Sequence, residues 1–245
     1  MEVIGVIPAR LESSRLKHKL LRDILGKSLI QRTWESAKKA RLLDKLIVAC
    51  DSPEIEKVVK SFNGEAVITS SGHSSGTDRV AEAVRDIDVK IVINIQADEP
   101  LIHPSIIDRL AASMLEDNDV VMATVKKKID DEDELENTSI VKVVTDKDNF
   151  AIYFSRFPIP FKRDSETEII YFKHMGIYGY TKDFLYTFKN LPFSYLEHAE
   201  KLEQLRAVES GYRIKVIETK FDFWGVDTED DLNRVKDIIS KRYNA

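Results

Sequence analysis

The chain reads as an α/β protein with a doubly wound, mostly parallel sheet and a smaller mixed α/β lobe. Three observations predict this class. Short runs rich in β-branched residues alternate with segments of helical spacing from Val3 to Val125. The run Ile91–Ile95, within KIVINIQADEP, reads as a strand buried between helical layers, and it stops on Gln96, Asp98, Glu99 and Pro100. That places hard oxygen ligands past the carboxyl end of a strand, where open α/β sheets keep their ligands. Beyond Ile140 the alternation gives way to β segments containing glycine and aromatic residues. This change divides the chain into an α/β core over 1–137, a smaller mixed lobe or dimerisation element over 138–190, and a return to the core over 191–245, one structural unit overall.

Taken in order, Val3–Ile7 is a first central strand ending at Pro8. The following loop carries Arg10, Ser13, Ser14, Arg15, Lys17, His18 and Lys19 with little that could form an apolar face. Such a loop can wrap phosphates with cations and N–H groups, or it can be a solvated basic surface. It lacks the glycine spacing of a Walker loop. Leu29, Ile30, Thr33, Trp34, Ala37 and Ala40 define an amphipathic helix over 28–41 with Trp34 in the core. Lys45–Cys50 is the next strand, and Asp51-Ser-Pro-Glu opens a helix. Ala66–Thr69 is a short strand. SSGHSSGTD, residues 70–78, is either a loop and helix cap, with Thr77 or Ser75 as the capping hydroxyl, or a flexible wall around a base or sugar with Arg79 behind it.

After the central strand come a helix over 104–115, a strand over 120–125 and an acidic, exposed segment over 130–136. In the lobe, 140–144, 150–155 and 169–180 are β segments. Leu196, Ala199, Leu202 and Leu205 form the stripe of a helix, with Glu203, Gln204 and Arg206 off it. Arg213–Ile217 is a late strand. Thr228 and Asp231 make a capping box for a last helix, which leaves Asp227 just outside its N-terminus.

Composition narrows the function. The 245 residues, 43% hydrophobic and 32% charged with a net charge of −5, fit an ordinary globular protein. The acidic balance argues against a general nucleic-acid binder, so an anionic ligand must be held by a local cluster of cations. No apolar run approaches bilayer length, and the opening MEVIGVIPAR carries no secretion signal. The single cysteine, Cys50, ends a buried strand as inert packing and fits a reducing cytoplasm.

The ordered set IPAR, Ser14-Arg15-Leu16 with Lys19, HSSGTDR, NIQADEP, YFSR, HMGIYGY, LEHAEKLEQLR and GVDTEDDL resembles the 3-deoxy-manno-octulosonate cytidylyltransferase (CMP-Kdo synthetase) family. The resemblance runs from Val3 to about Val235. It implies a Rossmann-like nucleotidyltransferase sheet and a Mg²⁺-dependent cytoplasmic homodimer without membrane or nucleic-acid partners. Such an enzyme transfers a cytidylyl group from CTP to the sugar acid Kdo for lipopolysaccharide synthesis. It further implies Asp98 and Asp227 as metal ligands, with two ions during turnover, and Lys19, Arg10 and Arg15 as catalytic charge-offsetting groups. Pro8, Ala9, Arg10, Arg15, Lys19, Ser75, Arg79 and Asp98 are the nucleotide-binding candidates. Gln96, Arg156, His174, Tyr178, Glu203 and Gln204 are the sugar-binding candidates, with a structural histidine as the other reading of His174.

Two departures stand out: Lys17-His18 occupies the place of the family's usual Pro-Gly, and Ala97 that of a usual Gly. A cytidylyltransferase for a sialic-acid-like sugar would share the opening loop and metal aspartates but lack LEHAEKLEQLR and HMGIYGY. A sugar-1-phosphate nucleotidyltransferase would show a glycine-rich opening loop. A regulatory nucleotide-binding module would have no need to keep Asp98, Asp227 and Lys19 together.

Overall fold

In the computed structural model, which describes residues 1–13, 15–164 and 166–243, the chain forms two compact units, Met1–Ala111 with Asp222–Ala245 and Ala112–Phe221. Ser14, named above in the basic loop, lies outside the described residues. The division differs from the expected segments 1–137, 138–190 and 191–245 because strands on both flanks of the lobe, 122–128 and 215–219, pair within the second unit.

The first unit opens with β1 (Val3–Ala9), whose β-branched run is buried almost throughout. A hairpin of β2 (Asp23–Ile24) and β3 (Lys27–Ser28) follows, turning at Leu25 and Gly26 with φ of 51° and 82°. Its two-residue turn carries positive φ at both positions, as tight hairpins require. Next come α1 (Leu29–Ala37), capped by Ser28, and β4 (Lys45–Cys50). Then α2 (Pro53–Ser61) is capped by Ser52 with proline in its first turn, followed by β5 (Ala66–Ile68), α3 (Gly76–Ala83) and β6 (Ile91–Asn94). β1 pairs in parallel with both β4 and β6, and β4 with β5, giving the order β6-β1-β4-β5. These are the runs without polar alternation, as expected for parallel strands covered on both faces. Trp34 is buried and tilted against Phe62 at 5.3 Å, which confirms its place in the core. α4 (Pro104–Leu115) contains the unit boundary.

The second unit is mixed. β7 (Met122–Lys128), the short acidic α5 (Glu132–Glu136), β8 (Lys142–Thr145), β9 (Ala151–Ser155) and β10 (Phe172–Thr181) appear in turn. α6 (Lys182–Asn190), α7 (Tyr195–Glu200), α8 (Leu205–Glu209) and β11 (Lys215–Thr219) follow. β10 is antiparallel to β7 and β8, β8 is antiparallel to β9, and β11 is parallel to β7. The stripe Leu196, Ala199, Leu202 and Leu205 is not one helix, because Lys201 takes a left-handed conformation (φ 55°) and splits it into α7 and α8. Arg206 and Gln204, off the stripe, are both buried. The chain then returns to the first unit as α9 (Glu229–Tyr243).

Candidate active site

The cavity is built in the first unit from four stretches, each held by local chemistry. The first is the loop that leaves β1. Its start is fixed where Leu11 N–H donates to Asp51 Oδ1 (3.0 Å), and Asp51 Oδ2 accepts from Arg79 Nη2 (3.0 Å). Arg79 also donates to Thr69 Oγ1 (2.7 Å) and Ser70 O (3.3 Å). The loop ends in a 3-10 turn at Lys19–Leu21, beyond which Arg22 donates to both carboxylate oxygens of Glu229 at 2.8 Å. His18, at the entry to that turn, has φ 50° and ψ 39°. This is the left-handed region, which glycine enters without strain and a histidine enters less readily.

The second stretch is the α3 N-terminus. Ser75 is the cap, accepting from Asp78 N–H (3.1 Å), and the Ser74 and Ser75 hydroxyls both donate to Asp78 Oδ2. His73 pairs with Glu82, which also accepts the Ser70 N–H.

The third is the turn after β6, where Thr33 Oγ1 donates to Ala97 O (2.9 Å) from α1. Ala97 itself is buried. The fourth is the approach to α9. There Val226 N–H donates to Asp98 O (3.0 Å), and Asp231 Oδ2 accepts from the N–H groups of Asp227 and Thr228. The expected Thr228–Asp231 box is formed, since Asp231 N–H donates back to Thr228 Oγ1 at 3.2 Å.

Asp98 and Asp227 thus converge although they lie far apart along the chain. Lys19 Nζ donates to Asp98 Oδ2 at 2.6 Å and to Asp227 Oδ1 at 2.9 Å, while Arg15 Nη2 stands 2.9 Å from Asp227 Oδ2. Burial draws the Lys19 pKa down, but Asp98 and then Asp227 more than offset this and hold it above its ordinary value. Next to them, desolvation and the Asp98 charge push Glu99 up to about 8.

The cavity has a volume of about 400 Å³. Of the candidates, Pro8, Arg10, Arg15, Lys19, Ser75, Arg79, Gln96, Asp98 and Asp227 all line it. Ala9 does not, being fully buried in β1. The contacts of Arg79 and Ser75 are those of a brace and a helix cap. His73 and Glu12 also line the cavity; His73 opens the HSSGTDR motif, whereas no spacing distinguishes Glu12 from a surface residue.

The remaining sugar candidates lie in the second unit. His174 Nε2 is 2.9 Å from Thr124 Oγ1, whose single proton goes to Ile177 O at 2.8 Å, so the imidazole donates. Its ring contacts those of Phe154 and Tyr178, and desolvation lowers its pKa to about 3. Burial, with Glu203 adding to it, holds Tyr178 well above the usual phenol range. Arg156 Nε donates to Glu200 O (2.8 Å) and its Nη1 to Thr138 O (3.0 Å). Gln204 is buried, and its Nε2 makes no hydrogen bond among the described residues.

Residues 4–216 match the family model described as cytidylyltransferase. The chain is 47% identical to the 3-deoxy-manno-octulosonate cytidylyltransferase of Solibacter usitatus, over 97% of this chain and 94% of the relative. This chain belongs to the 3-deoxy-manno-octulosonate cytidylyltransferase family. The enzyme of the same name from Chloroherpeton thalassium is 46% identical over 99% of each chain. Among solved structures, CMP:2-keto-3-deoxy-manno-octonic acid synthetase complexed with CTP superposes with a TM-score of 0.95 at 40% identity, covering 99% of this chain and 100% of that one.

Among the described residues no group of three His, Cys, Asp or Glu side chains forms a ready-made metal site. The family's Mg²⁺ still fits the donor set. Magnesium is commonly bound through one or two carboxylates, with substrate phosphates and water completing its shell. Asp98 and Asp227 supply that share, and both now grip the Lys19 ammonium between them.

Proposed function

We propose that the protein transfers a cytidylyl group from CTP to the anomeric hydroxyl of Kdo, giving CMP-Kdo and pyrophosphate for lipopolysaccharide synthesis. The observation that carries this reading is the convergence of Asp98 and Asp227 on Lys19 inside a cavity lined by Arg10 and Arg15. A polyanionic nucleotide and an anionic sugar repel one another, and a site joining them must neutralise both. The sugar hydroxyl oxygen bonds to the α-phosphorus while the bond from that phosphorus to the bridging oxygen of pyrophosphate breaks, and the hydroxyl proton is released.

Asp98 and Asp227 would hold Mg²⁺, which when bound supplies positive charge at the phosphates and acidifies the attacking hydroxyl. Asp98 and Asp227 would serve the two ions expected during turnover. Lys19, Arg10 and Arg15 offset charge that develops on the α-phosphate and the departing pyrophosphate. Pro8, Ala9, Ser75 and Arg79 shape the nucleotide side. Arg79 does so by bracing the loop through Asp51, and Ala9 through its backbone.

Gln96, Arg156, His174, Tyr178, Glu203 and Gln204 bind the sugar acid. The buried Gln204 amide, with a donor unused, and the neutral His174 are chemically suited to hydroxyl groups. The enzyme works in the cytoplasm as a homodimer. Large apolar side chains at Ile152, Phe157, Phe161, Ile170, Phe193 and Tyr195 are exposed on the second unit and support an interface there. Among the described residues no helix is long and apolar enough to cross a membrane.

The test is pyrophosphate release with Mg²⁺ and a panel of four nucleotides against Kdo, sialic acid and a sugar phosphate. CTP with Kdo is the expected active pair. Asp98→Asn and Asp227→Asn are expected to abolish release while circular dichroism stays native. Near-normal turnover in both variants would refute the metal assignment.

A further inference from the structure

We propose that Glu99 is a positioning residue for Asp227: its carboxyl group fixes the strap 224–227 so that Asp227 faces Asp98. This rests on the functional reading above, and the geometry behind it is specific. Glu99 follows Asp98 on the turn after β6, and it does not line the cavity. Its Oε2 accepts the Trp224 N–H at 2.9 Å across 125 residues of sequence. Two residues further on, Val226 N–H donates to Asp98 O at 3.0 Å, so the strap is tied to the turn twice.

Between these ties lies Gly225, where an added Cβ would stand 2.9 Å from Glu99 Oε1. Its φ is not in the positive range, so what a methyl there would meet is the Glu99 carboxyl, which would have to move, and not a backbone constraint. On the other side, Asp231 holds the Asp227 and Thr228 N–H groups. Asp227 is therefore pinned from both directions, and the upstream side-chain tie is Glu99. Partners of this kind fix the direction in which a ligating carboxylate points.

The experiment compares wild type, Glu99→Gln, Glu99→Ala, Gly225→Ala and the double variant Glu99→Ala/Gly225→Ala. The first readout is the Mg²⁺ concentration giving half-maximal pyrophosphate release. The second is acrylamide quenching of Trp224, the sole tryptophan in a Trp34→Phe background. Glu99→Ala is expected to raise the half-saturating Mg²⁺ concentration about tenfold and to increase quenching. Glu99→Gln, whose amide oxygen still accepts from Trp224, stays within about threefold of wild type in the same Mg²⁺ measurement.

Gly225→Ala acts in the same direction as Glu99→Ala. The double variant is no worse than Glu99→Ala, because deleting the carboxyl group opens the space the new methyl needs. Wild-type Mg²⁺ dependence and quenching in Glu99→Ala, or effects that multiply in the double variant, would overturn the proposal. If wild type releases no pyrophosphate the functional reading fails instead, and the quenching series still decides whether Glu99 holds the strap.

Discussion

Lys19 and His174 show how burial acts on two basic groups with different neighbours. Burial lowers the pKa of each, but Lys19 has two carboxylates against its ammonium and stays above its ordinary value. No carboxylate contributes at His174, and desolvation alone takes it to about 3. The folded pKa of His174 lies below its ordinary value of 6.5, so between these limits the unfolded chain binds the extra proton. Its contribution to stability is complete above pH 6.5 and is lost progressively as pH falls toward 3. Wild-type protein is expected to lose urea resistance between pH 7.5 and pH 5. His174→Gln, which keeps a donor for Thr124, should lose less over the same interval. Equal slopes in the two unfolding series would show that another group titrates there. Cys50, nominated as inert packing, fits that role, since burial pushes its thiol up to about 11.

Elements hold the basic loop by a device the charge pattern does not reveal. The Asp51 carboxylate, just past β4, joins Leu11 at the loop's root to Arg79 on α3. Arg79 and Asp51 have side-chain exposures of only 5% and 13%, so removing one partner strands a charge in a poorly solvated place. Asp51→Ala is expected to destabilise the protein by about 3 kcal/mol. It should also weaken CTP binding measured by calorimetry, because the loop root is freed. Asp51→Asn, which retains an acceptor, should show smaller losses in both. In the second unit, α7 and α8 are joined in a comparable way. Glu197 accepts from Arg206 Nε (2.8 Å) and Nη2 (2.5 Å) across the break at Lys201.

At the scale of the whole molecule, the charge balance and the site oppose each other. A net charge of −5 repels a nucleotide triphosphate, and the cavity answers with Arg10, Arg15 and Lys19 on one loop. Attraction is therefore local, and binding should weaken with ionic strength as exposed Arg10 and Arg15 are screened. The exposed apolar side chains of the second unit give a test of the proposed dimer. Phe157→Ser with Phe161→Ser is expected to shift the species seen by sedimentation from dimer to monomer at micromolar concentration, without changing the circular dichroism. A wild-type protein that sediments as a monomer would remove the dimer reading.

The sequence by itself determined the parallel strands over Val3–Ile7, Lys45–Cys50 and Ile91–Ile95, the Thr228–Asp231 cap, and the family to which Asp98 and Asp227 belong, while it left Ser75 and Thr77 open as the cap of α3. Those features are carried by local composition and spacing, which a linear reading can follow. Only the tertiary structure decided that Lys201 breaks a helix, that Arg79 is a brace, and that Glu99 and Gly225 share one space. Each depends on a partner distant in sequence, as Trp224 is from Glu99. A hydrogen bond or a close approach between such residues leaves no periodicity along the chain, because only the folded backbone brings them together.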